Sequence, residues 1–285
     1  MSGAPDLAIV AARIATFGLA ILLFGGAAFA VYAPPGGAGA APPRLVRAGA
    51  ACLALAATAY VALLAREASG DPGWPSLAII WDVYTQTGFG LALGAAQIAA
   101  IVTALAPASA PWRWPRLALA GGALVALAFV GHGADDTGLR ADLRIALLAG
   151  HLLAVAAWLG ALPCLYLALS PRSATPLALL RRFGLVGGIC VAAVVGSGGA
   201  TLAFMVATAG GHLGPTYAAT LCVKLAFVAG LLGIAAINRF WLTPNLTREP
   251  DAARRALRRT IVLEQVLGLG ALAGVAVLGQ LDPTM

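Results

Sequence analysis

The sequence LAIVAARIATFGLAILLFGGAAFAVY, residues 7–32, is an apolar stretch in which Arg13 is the only charged side chain. An α-helix of this length exceeds the roughly 20 residues that cross the ~30 Å hydrocarbon core of a bilayer. Because backbone polar groups in lipid must be hydrogen-bonded within the segment, we expect a membrane-spanning helix. We expect this helix to be retained, since Met1–Val10 lacks the basic region that begins a signal peptide.

Similar apolar stretches recur along the whole chain. Of its 285 residues, 61% are hydrophobic and 10% are charged, whereas a soluble domain carries about 25% charged residues. This composition excludes a soluble globular domain and predicts an all-α integral membrane protein with about eight transmembrane helices. The predicted spans are 7–32, 44–66, 83–106, 115–132, 143–169, 179–208, 216–241 and 256–280.

The basic residues are divided unevenly between the two sides of the predicted bundle. The second, fourth and sixth connections contain only Arg66, Arg140 and Arg144, whereas the odd-numbered connections are rich in arginine. Because Arg and Lys mark short cytoplasmic loops, both termini are predicted to be periplasmic. The formal net charge of +7 is scattered over these connections and forms no patch, so we expect no nucleic-acid partner.

All three histidines fall on the periplasmic side in this orientation. His132 ends the fourth predicted helix between two glycines, His151 lies about two turns into the fifth, and His212 is in the sixth connection. An ionisable group inside an apolar stretch such as Leu147–Trp158 is costly and marks a functional candidate. Imidazole suits Cu(II), Zn and heme iron, so we predict a metal site formed by His132, His151 and His212. The structural alternatives are an interhelical hydrogen bond for His151 and solvated loop positions for the other two.

Three further ionisable residues lie at membrane depth. Arg13 and Lys224 are near the outer ends of their helices, where long basic side chains can extend to the interface. Glu264 is close in depth to Asn238 and Arg239, which predicts a structural pairing. The chain contains no Walker A, HExxH or GxSxG motif, so we expect neither ATP-driven transport nor an enzyme.

Two segments resemble signatures of the copper resistance protein D membrane family. Gly131-His132-Gly133 is similar to its GHA motif, and residues 151–160, HLLAVAAWLG, are similar to HLLAAAxWxGG. The resemblance covers helices four to eight and implies a family membrane domain at 111–285, preceded by a three-helix segment at 1–110. Ala161 departs from the family, which often has a second glycine there. The likeness continues in Phe183–Gly199, Gly214–Tyr217 with Lys224, Asn238-Arg239 with Pro244, and Arg259–Gly268.

The resemblance implies a multi-pass bacterial inner-membrane protein that moves copper from periplasm to cytoplasm. The family's histidines correspond to His132 and His151, and the expected partners are a copper ion, the lipid bilayer and a separate periplasmic copper-binding protein. Two helix-borne histidines could instead be axial ligands of heme b, which would make the protein a membrane oxidoreductase. A third interpretation is a metal-sensing or accessory subunit that transports nothing itself.

Overall fold

Helices dominate the computed structural model of the chain, which describes residues 5–33, 41–70, 73–107, 109–130, 138–170 and 177–284. Seven helical segments within these ranges are long and apolar enough to cross a membrane, and no β-strand occurs there. The prediction of an all-α integral membrane protein is confirmed. The seven segments are Leu7–Tyr32, Pro43–Ser69, Gly88–Leu105, Leu139–Ala168, Leu177–Thr208, Pro215–Asn245 and Pro250–Leu278.

The α-helices of the described ranges are numbered in chain order. They are α1 (Leu7–Tyr32), α2 (Pro43–Ser69), α3 (Leu77–Gln86), α4 (Gly88–Leu105), α5 (Arg113–Leu127), α6 (Leu139–Trp158), α7 (Leu162–Ala168), α8 (Leu177–Thr208), α9 (Pro215–Ile237), α10 (Thr243–Asn245) and α11 (Pro250–Leu278). A short 3₁₀ turn at Leu159–Ala161 joins α6 to α7, and a π-helical segment, Asn238–Leu242, joins α9 to α10.

Two of the eight predicted spans differ from the helices observed. The third, 83–106, is divided at Thr87, whose extended backbone ends α3 and whose side chain caps α4 by accepting from the Gly90 N–H. The fourth, 115–132, contains α5, which has 15 residues. Such a helix rises only about 22 Å, less than the ~30 Å of the hydrocarbon core. The short α5 nevertheless packs inside the bundle against α1 and α4.

The first and last helices are joined at one end of the bundle. The Asp6 backbone N–H donates to Gln280 Oε1 at 2.7 Å, and Gln280 Nε2 donates to the Asp6 carbonyl at 3.3 Å. The start of α1 and the end of α11 therefore share one end, as the predicted topology requires. We call it the outer end, because the predicted orientation places it in the periplasm, and we call the opposite end the inner end.

The crossing of α1 with the 3₁₀ turn is the tightest backbone approach in the part of the bundle that holds His151. A Cβ added to Gly25 would collide with the backbone of Gly160, and one added to Gly160 would collide with the Ile21 carbonyl. Small residues at such crossings let helix backbones touch, which is a principal source of packing energy in lipid. This contact sets the position of α6, and hence of His151, relative to α1.

Candidate metal-binding site

His151 lies on α6 and is held against α8. Its Nδ1 is 3.0 Å from the Ser197 Oγ, while the Ser197 hydroxyl also lies 2.5 Å from the Ala193 carbonyl. The single hydroxyl proton must go to that carbonyl, because a carbonyl oxygen can only accept. Ser197 Oγ therefore accepts from Nδ1–H. This network assigns the tautomer and leaves Nε2 with the lone pair that a metal ion requires.

The imidazole also packs against α8 at position 198. A Cβ added to Gly198 would lie 3.4 Å from His151 Cε1 and 3.8 Å from Nδ1, which are ordinary van der Waals distances. The ring therefore lies directly beside the α8 backbone, and its hydrogen bond with Ser197 orients it.

A cavity of about 160 Å³ lies about one helical turn outward from His151, which does not itself line it. Leu147 and Thr201 line it, and these residues are one helical turn outward from His151 and Ser197 respectively. Within the cavity wall, the Tyr217 hydroxyl donates to Met205 Sδ at 2.8 Å. A thioether is a ligand that Cu(I) favours, so the cavity adds a soft donor to the imidazole below it. The remaining lining residues are Arg144, Phe204, Leu278, Leu281 and Pro283.

Lys224 contributes a positive charge to the surroundings of His151. The two side chains interact electrostatically across the bundle, and a Cβ added to Gly274 of α11 would lie 3.1 Å from Lys224 Cβ. The aliphatic part of Lys224 is therefore packed against α11. Any cation bound at His151 would be repelled by this ammonium group.

We expect Lys224→Met to tighten copper binding, because the substitution removes a positive charge and keeps most of the side-chain length. The dissociation constant should fall by roughly tenfold, the change that about 1.4 kcal/mol of removed repulsion produces. Isothermal titration of purified protein with copper measures it. Arg66→Met is the matched control, since Arg66 ends α2 on the same side and stacks over Trp74. Unchanged or weaker binding by the Lys224 variant would contradict the electrostatic argument.

Of the other two predicted ligands, His132 lies outside the described residues. His212 is exposed in the loop after α8, with its Nδ1 3.3 Å from the Gly210 carbonyl. Thr208, the last residue of α8, is about 16 Å along the helix axis from Ser197. Within the described ranges, no group of three or more His, Cys, Asp or Glu side chains is close enough to hold a metal ion.

The four cysteines form no disulfide. Cys164 and Cys190 are buried in the bundle, Cys52 and Cys222 lie on its surface, and all four are free. The residues that sequence reasoning did not assign to the site are Ser197, Gly198 and Tyr217. In the sequence, nothing in the spacing of these residues distinguishes them from other residues of apolar helices. Only the structure shows how α8 and α9 are rotated, and therefore that these side chains face the site.

These features define a multi-pass helical membrane protein with an imidazole presented between its helices. Two family models match the chain: "Copper resistance protein D-like, N-terminal domain" over residues 4–143 and "Copper resistance protein D" over residues 177–278. The chain is 31% identical to copper resistance protein D of Pseudomonas syringae pv. tomato, over 97% of both chains. It is 28% identical to inner membrane protein YebZ of Escherichia coli K12, over 72% of both.

The chain belongs to the copper resistance protein D family, so the family predicted from the sequence is confirmed. With seven long apolar helices in the part of the chain that the structure describes, it is a multi-pass protein of the inner membrane. No solved structure matches it. The segment that carries His151 lies between the two matched ranges. The division into 1–110 and 111–285 stays a prediction.

Proposed function

We propose that this protein moves copper from the periplasm to the cytoplasm, with His151 as the ligand that receives the ion within the bundle. The observation that carries the proposal is the bond from His151 Nδ1–H to Ser197, because it directs the lone pair of Nε2 away from α8. Hydrogen bonding of one ring nitrogen is how proteins commonly orient a histidine ligand. The names of the matched family and of the relative from Pseudomonas syringae pv. tomato support copper as the metal handled.

The outer cavity suggests how the ion approaches. Met205 and Tyr217 line it between the outer end and His151, so a copper ion entering there would meet a thioether before the imidazole. His132 and His212 are the further ligands that the sequence predicts, and His212 lies at the outer surface. A separate periplasmic copper-binding protein would deliver the ion to this surface.

Copper analysis of purified protein and of cells tests the proposal. The protein in detergent should bind copper, and cells that carry the gene should accumulate more copper than cells without it at the same external concentration. Equal accumulation in the two strains would overturn inward transport. A protein that binds copper without changing its accumulation would then be an accessory or sensing subunit.

Heme b binding is the second candidate function, because the free Nε2 of His151 would also suit an axial ligand. His132, the other axial ligand of this hypothesis, lies outside the described residues. A Soret band in the purified protein would establish heme binding, and its absence would favour copper.

A further inference from the structure

An apolar layer separates His151 from the inner half of the bundle. It consists of Ala154, Trp158, Cys190, Val194 and Leu231, which pack together from α6, α8 and α9. Ala154 and Trp158 follow His151 by three and seven residues, so they lie on the same face of α6 and further inward. A cation that leaves His151 for the inner end must pass this layer, in which four of the five side chains offer no ligand and only Cys190 carries a sulfur atom.

A buried carboxyl group lies on the inner side of this layer. Glu264 is 2% exposed, and its Oε2 has no hydrogen-bond partner among the described residues. Leu267, one turn outward on α11, packs against the apolar layer. The neighbouring Gln265 donates to the carbonyl of Leu159, the residue after Trp158. Glu264 is therefore the acidic residue of α11 that lies nearest to the apolar layer on its inner side.

Asn238 is the polar neighbour of this carboxyl group. Thr260 Oγ1 lies 2.6 Å from Asn238 Oδ1. Asn238 also makes a side-chain hydrogen bond with Glu264. Asn238 is also the first residue of the π-helical segment. Such segments are rare and occur frequently at functional sites.

The basic side chains nearest along the chain are directed elsewhere. Arg239 donates from Nη1 to the Gly184 carbonyl of α8, so the predicted pairing of Glu264 holds for Asn238 and not for Arg239. Arg258, on α11 itself, stacks 3.9 Å from the centre of the Tyr166 ring of α7 and donates to the Tyr166 carbonyl.

The charged groups on the remaining neighbouring helices lie further outward. Lys224 of α9 packs at Gly274, about 15 Å from Glu264 along α11. Arg13 of α1 contacts Gly279, which lies still closer to the outer end. Tyr32 is the titratable residue at the inner end of α1, and its hydroxyl is buried without a hydrogen-bond partner among the described residues. Within these residues, no basic side chain neutralises Glu264, and an uncompensated buried carboxylate is costly.

We propose that Glu264 is a proton-binding site that alternates with the transported cation on the inner side of the apolar layer. The carboxyl group holds a proton while no cation is present. When a cation passes the layer, that proton leaves toward the inner end and the carboxylate takes the cation in its place. After the cation leaves for the inner end, a proton that enters from the outer side restores the carboxyl group, so each transported cation is accompanied by one proton. If the cation is monovalent, the net charge at Glu264 is the same with the proton bound as with the cation bound. This inference rests on the proposed function, which it extends by naming the coupling ion.

Chemical labelling tests whether Glu264 is protonated. Dicyclohexylcarbodiimide is a hydrophobic reagent that reacts with protonated carboxyl groups in apolar surroundings, and the product is found by mass spectrometry of the labelled peptide. In membranes containing the full chain, we expect Glu264 to be labelled, less so as the pH rises or when copper is added. Glu264→Gln should lose the label. Glu249→Gln, a matched change at an exposed position before α11, should keep the label on Glu264. No label, or a label independent of pH, would overturn the proposal.

Transport in proteoliposomes separates this inference from the proposed function. With a pH-sensitive dye inside, copper uptake by the unaltered protein should be accompanied by a proton signal. Glu264→Gln should reduce copper uptake to the level of empty vesicles and abolish the proton signal. Normal uptake and a normal proton signal in this variant would overturn the role of Glu264. If the proposed function itself is wrong, the result will be different, because the unaltered protein will then take up no copper.

Discussion

His151→Ala is expected to abolish copper binding by the purified protein and to reduce cellular copper to the level of cells without the gene. Nε2 of this ring is the nitrogen whose lone pair the hydrogen-bond network leaves free. Alanine removes that donor and leaves Ser197 bonded to the Ala193 carbonyl, so the helices lose little else. Copper per protein, measured by atomic absorption, and cellular copper at fixed external concentration are the two measurements.

A control for nonspecific damage is Gln97→Ala, because Gln97 is a polar intramembrane residue far from α6. Its side chain bonds Tyr84, Thr58 and the Ala54 carbonyl, which connects α4 to α2 and α3. This variant should bind copper normally, although it loses several interhelical hydrogen bonds. Full copper binding by His151→Ala would remove His151 from the site.

Ser197→Ala provides a graded companion to the histidine variant. It keeps Nε2 but removes the hydroxyl that accepts from Nδ1–H. Loss of the group that orients a metal-binding histidine commonly costs roughly 10- to 100-fold in metal affinity. We therefore expect copper to bind Ser197→Ala more weakly than the unaltered protein, yet measurably. An affinity equal to that of the unaltered protein would mean that Ser197 serves packing alone.

Gly160→Ala is expected to prevent formation of the folded bundle. The added Cβ would collide with the Ile21 carbonyl and would lie 3.1 Å from Gly25 Cα. Both obstacles are backbone atoms, which cannot move aside as the tip of a side chain can. Overpacking of a core typically costs 1 to 3 kcal/mol where side chains can adjust, and we expect the cost here to lie above that range. Net stabilities of proteins are only about 5 to 15 kcal/mol.

Size-exclusion chromatography in detergent and a thermal unfolding curve measure this effect. Gly122→Ala on α5 is the matched control, because a Cβ at that position meets nothing within 4 Å. We expect the control to remain monodisperse with an unchanged Tm and the Gly160 variant to aggregate. A monodisperse Gly160→Ala protein with an unchanged Tm would show that α1 and the 3₁₀ turn can separate at little cost. The family's common second glycine corresponds to Ala161, which is itself buried and tolerated.

Several features of the fold follow from local composition. The apolar stretch at 7–32 and its successors predicted the membrane helices, because their length and hydropathy suffice for spanning. The arginine distribution predicted two termini on one side, and the Asp6–Gln280 bonds join them at one end. The short α5 and the division at Thr87 were not predicted. Helix ends depend on single capping contacts, such as that from Thr87 to Gly90, which apolar content does not reveal.

For the site, the sequence by itself determined that an imidazole lies inside a membrane helix and that the residues around it carry family signatures. Only the tertiary structure decided what this imidazole meets. Ser197, Met205 and Lys224 belong to helices far along the chain, and their rotation about the helix axes is set by packing between backbones. The same packing directs Arg239 to α8 and leaves Glu264 with Asn238. Because each helical residue rises by a fixed distance, the sequence alone specifies how deep a residue lies in the bilayer. Which residues it meets on other helices depends on how the helices pack against each other, and the sequence of one helix does not contain that information.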